Sequence, residues 1–281
     1  MFPTQKTAYL QTLQVASTRA SYARALTQFE TWYLTTYDQA PDASLLTDEE
    51  VHEWREHLVR RCRLSAASVN QRLAALRGVA RHHGRQLIVK GMKKVSAPLD
   101  PLNGREIGRL FAVLAGEGWM SKRNVALLSL LVRAGLRVSE VVALYPADVS
   151  TSERKGHVLV RQGKGGKERI VPLSRRARQD LASYAAVRPA FAAEPLFVSH
   201  TGQALAARDV QRVVTKAARL AGLTRHVTPH LLRHTFATRA LRRGEVDLAT
   251  LSALLGHDNL TTTARYLHPD QEHLAAMIEE L

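Results

Sequence analysis

Two arginines, one lysine, two histidines and one tyrosine, set in four separated segments, carry the distinctive polar chemistry of this chain. In GLRVSE (135–140), Arg137 follows a glycine that ends an apolar helical run from Ala126 to Val132, so its guanidinium lies beside a core. An arginine there needs a partner, and Glu140 stands three residues on, where it can orient the group. In GKGGKER (163–169), the glycines permit close backbone approach, and the turn can hold Lys164 out toward a ligand. In TPHLLRHTFAT (228–238), His230 and Arg233 are three apart and share a helix face. LGHDNLTTTARYLH (255–268) carries His257 and, nine residues later, Tyr266.

Each segment alone has an ordinary reading. A histidine on an apolar helix is most often a core residue, a GKGGK turn is often just a good hairpin, and a tyrosine near a chain end is usually packing. GKGGK is not a phosphate-cradling Walker loop, because GxxxxGK[ST] is absent and no helix follows directly. His230 and His234 stand four apart, as in a zinc helix, but the glutamate of HExxH is missing and no third ligand is evident, so no metal is expected.

Taken together, the six form a coherent set for phosphoryl transfer. That chemistry needs cations on the non-bridging oxygens and groups that move protons. Arginine suits the first task, because its planar fork meets two phosphate oxygens at once. No carboxylate cluster stands ready for Mg²⁺, so the cations must be side chains and no cofactor is expected. Tyrosine can serve as the nucleophile, provided that a base or local positive charge offsets its ordinary pKa of about 10.

The composition agrees with an anionic partner. Lys and Arg total 40 against 25 for Asp and Glu, a net charge of +15, which favours nucleic acid or an anionic membrane as partner, a basic solubility surface being the plainer alternative. No run of about 18 apolar residues exists to span a bilayer, and residues 1–10 are too polar for a signal peptide. The single cysteine, Cys62, cannot form an internal disulfide and is expected to pack. These features fit a cytoplasmic protein with no membrane partner.

The elements that must position the six residues divide in two. Residues 1–90 read as a helical domain: a short segment near 4–15, a helix capped by Ser17 or Thr18 and running to about Tyr37, one opened by the Thr47–Glu50 capping box and running to about Cys62, and one opened by Ser65 or Ser68 and ending near His83–Gly84. Arg77, Arg81 and Arg85 recur every four residues there, either a DNA-facing stripe or a solvated face. Residues 91–102 read as a linker broken by Pro98 and Pro101, with Lys90, Lys93 and Lys94 clustered about its start, either as DNA contacts or as a solvated basic loop. Residues 103–281 read as mixed: helices near 103–116, 121–135 and 138–144, a hairpin (HVLVRQ, GKGG, KERIVPL), then helices near 174–186, 207–221, 230–243 and 247–255. Beyond Pro269, Asp270 can cap a last helix on which Leu274, Met277, Ile278 and Leu281 form one apolar stripe.

The ordered pattern R…K…HxxR…H…Y resembles the tyrosine recombinase and integrase family, and the four motifs resemble its Xer-like branch. The resemblance covers residues 135–268, and the preceding helices are similar to the family's core-binding domain. It implies a mainly α fold with a small β-sheet: a helical, SAM-like core-binding domain followed by a mixed α/β catalytic domain. It also implies roles. Arg137 and Arg233 bind the scissile phosphate, Lys164 protonates the leaving 5′ oxygen, His230 accepts the proton of Tyr266, and His257 bonds a phosphate oxygen. Tyr266 attacks phosphorus, giving a 3′-phosphotyrosyl link, and Glu140 supports. The implied partner is double-stranded DNA with paired half-sites, bound by a homo-tetramer or a hetero-tetramer with a paralogue, with strands exchanged through a Holliday junction. A type IB topoisomerase or telomere resolvase cleaves by the same attack and remains the alternative.

Overall fold

Local capping starts most helices, and long-range packing decides what they bury. In the computed structural model, which describes residues 1–93, 100–161, 168–190, 194–244 and 246–256, the chain forms two compact units, Met1–Ala97 and Pro98–Leu281. The first holds α1 (Phe2–Gln11), α2 (Ala16–Tyr37), α3 (Asp48–Arg60) and α4 (Ala66–His82). Thr47 closes a reciprocal capping box with Glu50 at the start of α3, and Ser65 caps α4 by accepting from the Ser68 amide. Helix α2 departs from the expected start. Val15 is its N-cap, with no side-chain hydrogen bond, and Ser17 lies inside the first turn. The core of this unit is aromatic: Phe2, Phe29 and Trp54 are fully buried with Leu58, Leu73 and Leu76. Phe29 lies 5.7 Å from Trp54, edge to face.

Arginine side chains sew the segment after α4 onto the helices. Arg77 donates to the Val89 carbonyl, Arg85 to the Leu46 carbonyl (2.8 Å) and Arg55 to the Lys90 carbonyl (3.2 Å).

The second unit opens with α5 (Gly104–Leu114), α6 (Trp119–Arg133) and the short α7 (Val138–Val142). A three-stranded antiparallel sheet follows, β1 (Val149–Thr151), β2 (Gly156–Val160) and β3 (Arg169–Pro172), in the order β1-β2-β3. The sequence reading has only the hairpin of β2 and β3. The strand β1 is three residues of Val-Ser-Thr, too short for a period-2 signal. Helices α8 (Arg175–Ala185), α9 (Ala207–Leu220), α10 (Pro229–Arg242) and α11 (Leu248–Leu255) complete the described part. The apolar helix α6 runs through the centre of this unit, with Leu127, Leu130 and Leu131 buried, and it packs against both α8 and α10.

Candidate active site

Gly135 sets the geometry that follows α6. It adopts φ +66°, open to glycine and costly for other residues, and an added Cβ would lie 2.3 Å from the Phe236 ring of α10. This turn ends α6, and Arg137 then serves as the extended N-cap of α7. The Arg137 amide donates to Glu140 Oε2 (2.8 Å) and its Nη1 to Glu140 Oε1 (2.8 Å). Its Nη2 reaches across to the Gly256 carbonyl at the C-terminus of α11, also 2.8 Å.

Arg233 approaches the same place from α10, one turn beyond the Pro229 start. It donates to the Gly135 carbonyl (2.6 Å) and the Leu255 carbonyl (2.7 Å), and its Nη1 lies 3.9 Å from Glu140 Oε2. Arg169 on β3 completes the cluster. Its fork meets both oxygens of Glu140, Nη1 to Oε1 at 2.9 Å and Nη2 to Oε2 at 2.8 Å, and its Nε donates to the Leu254 carbonyl (2.8 Å). Three guanidinium groups thus surround one carboxylate. Glu140 is 2% exposed, Arg233 5%, Arg169 12% and Arg137 27%, so Arg137 is the most solvent-reachable of the four side chains. Burial pushes the Glu140 carboxyl up, but the hydrogen bonds from Arg169 and from the amide and guanidinium of Arg137 outweigh it, and its pKa lies below the ordinary carboxylate value.

A cluster with three cations and one buried anion has excess positive charge held by fixed donors, which is what a phosphodiester with developing charge requires. The structure brings together Arg137, Glu140 and Arg233 from the predicted set. His230 is exposed at the second position of α10, three residues before Arg233. Lys164, His257 and Tyr266 lie outside the described residues, as does the proposed last helix. Of the predicted DNA-contacting residues, Arg81 is exposed on α4, whereas Arg77 holds Val89. Arg85 lies past the helix, beyond Gly84 (φ +83°), so it does not share a helical face with the other two. Lys90 and Lys93 are exposed, and Lys94 lies outside the described residues.

The sequence reading missed Arg169. The available signal was alternation: Arg169 is in phase with Val171, which is buried, while Ile170 between them is 62% exposed. An arginine in the inward register of a strand needs a buried partner. A second arginine with a buried carboxylate partner was also missed, although this arginine is itself largely exposed. Arg161, just past β2, donates to Asp148 Oδ1 (2.6 Å), and that carboxylate is 2% exposed. Among the described residues, no group of three or more His, Cys, Asp or Glu side chains is gathered to hold a metal ion, and no helix is long and apolar enough to cross a membrane.

Comparison with known proteins places this geometry in context. Residues 101–273 match the model of the phage integrase family. The chain is 32% identical to the tyrosine recombinase XerC of Actinobacillus pleuropneumoniae serotype 7, over 99% of this chain and 95% of that protein. It is 39% identical to the XerC of Thermodesulfovibrio yellowstonii over a shorter stretch, 57% of this chain and 54% of that relative. Among solved structures, it shares the fold of the XerH site-specific recombinase in its post-cleavage complex with palindromic difH substrate. The TM-score is 0.75 at 24% identity, covering 94% of this chain and 80% of that one.

Proposed function

The chain belongs to the phage integrase family of tyrosine recombinases, in its Xer-like branch, and from this premise we propose a route for the reaction it performs on DNA. It is a site-specific recombinase that cleaves and rejoins DNA strands. The observation that carries the mechanism is the Arg137–Glu140–Arg233 cluster, in which a buried carboxylate and three backbone carbonyls hold two guanidinium groups beside one another.

In this route, Arg137 and Arg233 neutralise the non-bridging oxygens of the scissile phosphate. The Tyr266 oxygen attacks phosphorus, a phosphorus–oxygen bond forms, and the bond to the 5′ oxygen breaks. His230 takes the phenol proton, Lys164 supplies one to the 5′ oxygen, and His257 bonds a phosphate oxygen. The 3′-phosphotyrosyl link conserves the bond energy, so the 5′ hydroxyl of another strand reverses the step without ATP. Cofactors and metal ions have no part in this route.

The N-terminal unit, with Arg81 on α4 and Lys90 and Lys93 beyond it, supplies backbone contacts to duplex DNA. Paired half-sites are filled by four protomers, all of this chain or shared with a paralogue, which exchange strands through a Holliday junction. The apolar stripe of the last twelve residues links neighbouring subunits. The setting is the cytoplasm.

The decisive experiment is a nicked suicide substrate analysed on a denaturing gel. The intact protein forms a covalent protein–DNA adduct, and Tyr266→Phe forms none while binding DNA with undiminished affinity. An adduct of equal yield with Tyr266→Phe removes Tyr266 from its role. Linking two marked duplexes, rather than relaxing one supercoiled circle, separates recombination from the topoisomerase alternative.

A further inference from the structure

Glu140 has a fully used hydrogen-bonding capacity. A carboxylate offers about four lone-pair sites. The Arg137 amide and guanidinium take one each, and the Arg169 fork takes the other two, one on each oxygen. Arg169 therefore fixes the carboxylate plane. With that plane fixed, Arg137 meets Oε1, and Arg233 stays at 3.9 Å from Oε2 while donating to the Gly135 and Leu255 carbonyls.

Arg169 also grips a second part of the site. Its Nε holds the Leu254 carbonyl, and the next two carbonyls, of Leu255 and Gly256, are the acceptors for Arg233 and Arg137. Gly256, at φ +62°, leaves room for this: an added Cβ would lie 3.0 Å from the Arg169 Nη1. A single side chain on β3 thus fastens both surfaces against which the two arginines rest, the Glu140 carboxylate and the C-terminus of α11.

We propose that Arg169 is a positioning residue for strand cleavage, which touches no DNA and sets the aim of Arg137 and Arg233 through Glu140 and the α11 C-terminus. The proposal rests on the reading of those two arginines as the scissile-phosphate ligands. Without Arg169, the carboxylate loses half of its donors and turns toward Arg233, and the α11 carbonyls lose their tether. A displacement of about 1 Å is enough to cost about 10²-fold in rate.

The test uses the full-length protein and two suicide substrates, one ordinary and one with a methylphosphonate at the scissile position. Replacing a non-bridging oxygen by methyl removes the negative charge that the guanidinium groups neutralise, so a defect in placing those groups shrinks on this substrate. Arg169→Ala is expected to slow cleavage of ordinary DNA by about 10²-fold and of methylphosphonate DNA by under about 10-fold, with duplex binding in a gel shift unchanged within about two-fold. Arg137→Ala, run beside it, is expected to show the same relief. Arg169→Lys keeps the charge but not the fork, and it is judged by the same criterion should the alanine variant be insoluble.

Relief for both arginine variants supports the proposal. Relief for Arg137→Ala with an equal Arg169→Ala defect on both substrates overturns it, leaving Arg169 a structural residue only. No relief for Arg137→Ala overturns the phosphate-ligand reading and this proposal with it.

Discussion

Asp180 and Glu140, both paired with arginine in the C-terminal unit, are driven in opposite directions by their environments. Asp180 on α8 accepts from Arg133 on α6, each side chain 21% exposed, and burial pushes the Asp180 carboxyl up despite the bonds from Ser129 and Arg133. Burial likewise lowers the pKa of Arg133, whose guanidinium lies 3.9 Å above the Phe111 ring. Glu140 is far more buried at 2% exposure, yet its pKa moves down. The number of directed donors decides the sign: Glu140 receives four hydrogen bonds from Arg137 and Arg169. Asp180 shares one arginine with Ser129 and the aromatic ring of Phe111. The first arrangement gathers three guanidinium groups about one carboxylate, and the second joins two helices.

The largest expected contrast is in catalysis. Arg137→Ala or Arg233→Ala is expected to lower the rate of covalent adduct formation by at least about 10²-fold, since one transition-state donor is typically worth about 3 kcal/mol. Arg133→Ala, four residues from Arg137 in sequence, is expected to stay within a few-fold of the intact protein. Single-turnover cleavage of a suicide substrate measures both. A comparable loss at Arg133 breaks the distinction.

Stability provides the next contrast. Glu140→Leu leaves Arg169 and Arg233 buried beside no counter-charge and is expected to cost about 3 kcal/mol or more. Replacing both members of the other pair, Arg133→Met with Asp180→Leu, removes both charges together and is expected to be neutral within about 1 kcal/mol or stabilising. Urea unfolding monitored by circular dichroism reads both, and equal losses would show that burial alone governs the two sites.

Two glycines sharpen the boundary of the cluster. Gly256→Ala meets both a left-handed φ of +62° and the Arg169 guanidinium at 3.0 Å. Gly244→Ala meets only a φ of +65°, with open space around it. Each is expected to lose about 1–2 kcal/mol from backbone strain. Only Gly256→Ala is expected also to slow cleavage, because Arg169 must move to accommodate the methyl group. Similar cleavage rates for the two variants would place Gly256 outside the positioning network.

The smallest effect is the pH dependence of stability. The lowered Glu140 value means that its contribution is full at neutral pH and is lost as pH falls through the folded-state value. The raised Asp180 value has the opposite slope: the folded chain takes up that proton before the unfolded chain does, so stability is gained as pH falls through the folded-state value. Glu140→Gln is therefore expected to flatten the acid limb of the unfolding profile, and Asp180→Asn to steepen it. A shift of the same sign in both variants would contradict the contrast.

Much of the site was legible because its logic is local. The Gly135 turn, the three-residue step from Arg137 to Glu140 and the helical step from His230 to Arg233 each lie within one turn of chain, where residue type and spacing determine geometry. The same holds for the Thr47–Glu50 capping box. The start of α2 was misplaced, because Ser17 is a favourable cap by composition while the helix begins two residues earlier behind Val15. The short strand β1 exists through its pairing with β2, Val149 opposite Val158, and has no periodicity of its own.

The sequence by itself determined the family and the order in which the candidate residues occur. Only the tertiary structure decided which arginines stand together. Arg169 finds Glu140 across 29 residues and Leu254 across 85, and Arg137 finds Gly256 across 119. Arg133, one turn from Arg137, turns instead to Asp180, 47 residues away. A guanidinium takes whichever carboxylate or carbonyl the fold brings within about 3 Å, and neighbours in sequence are not informative about that distance once the chain has turned at Gly135.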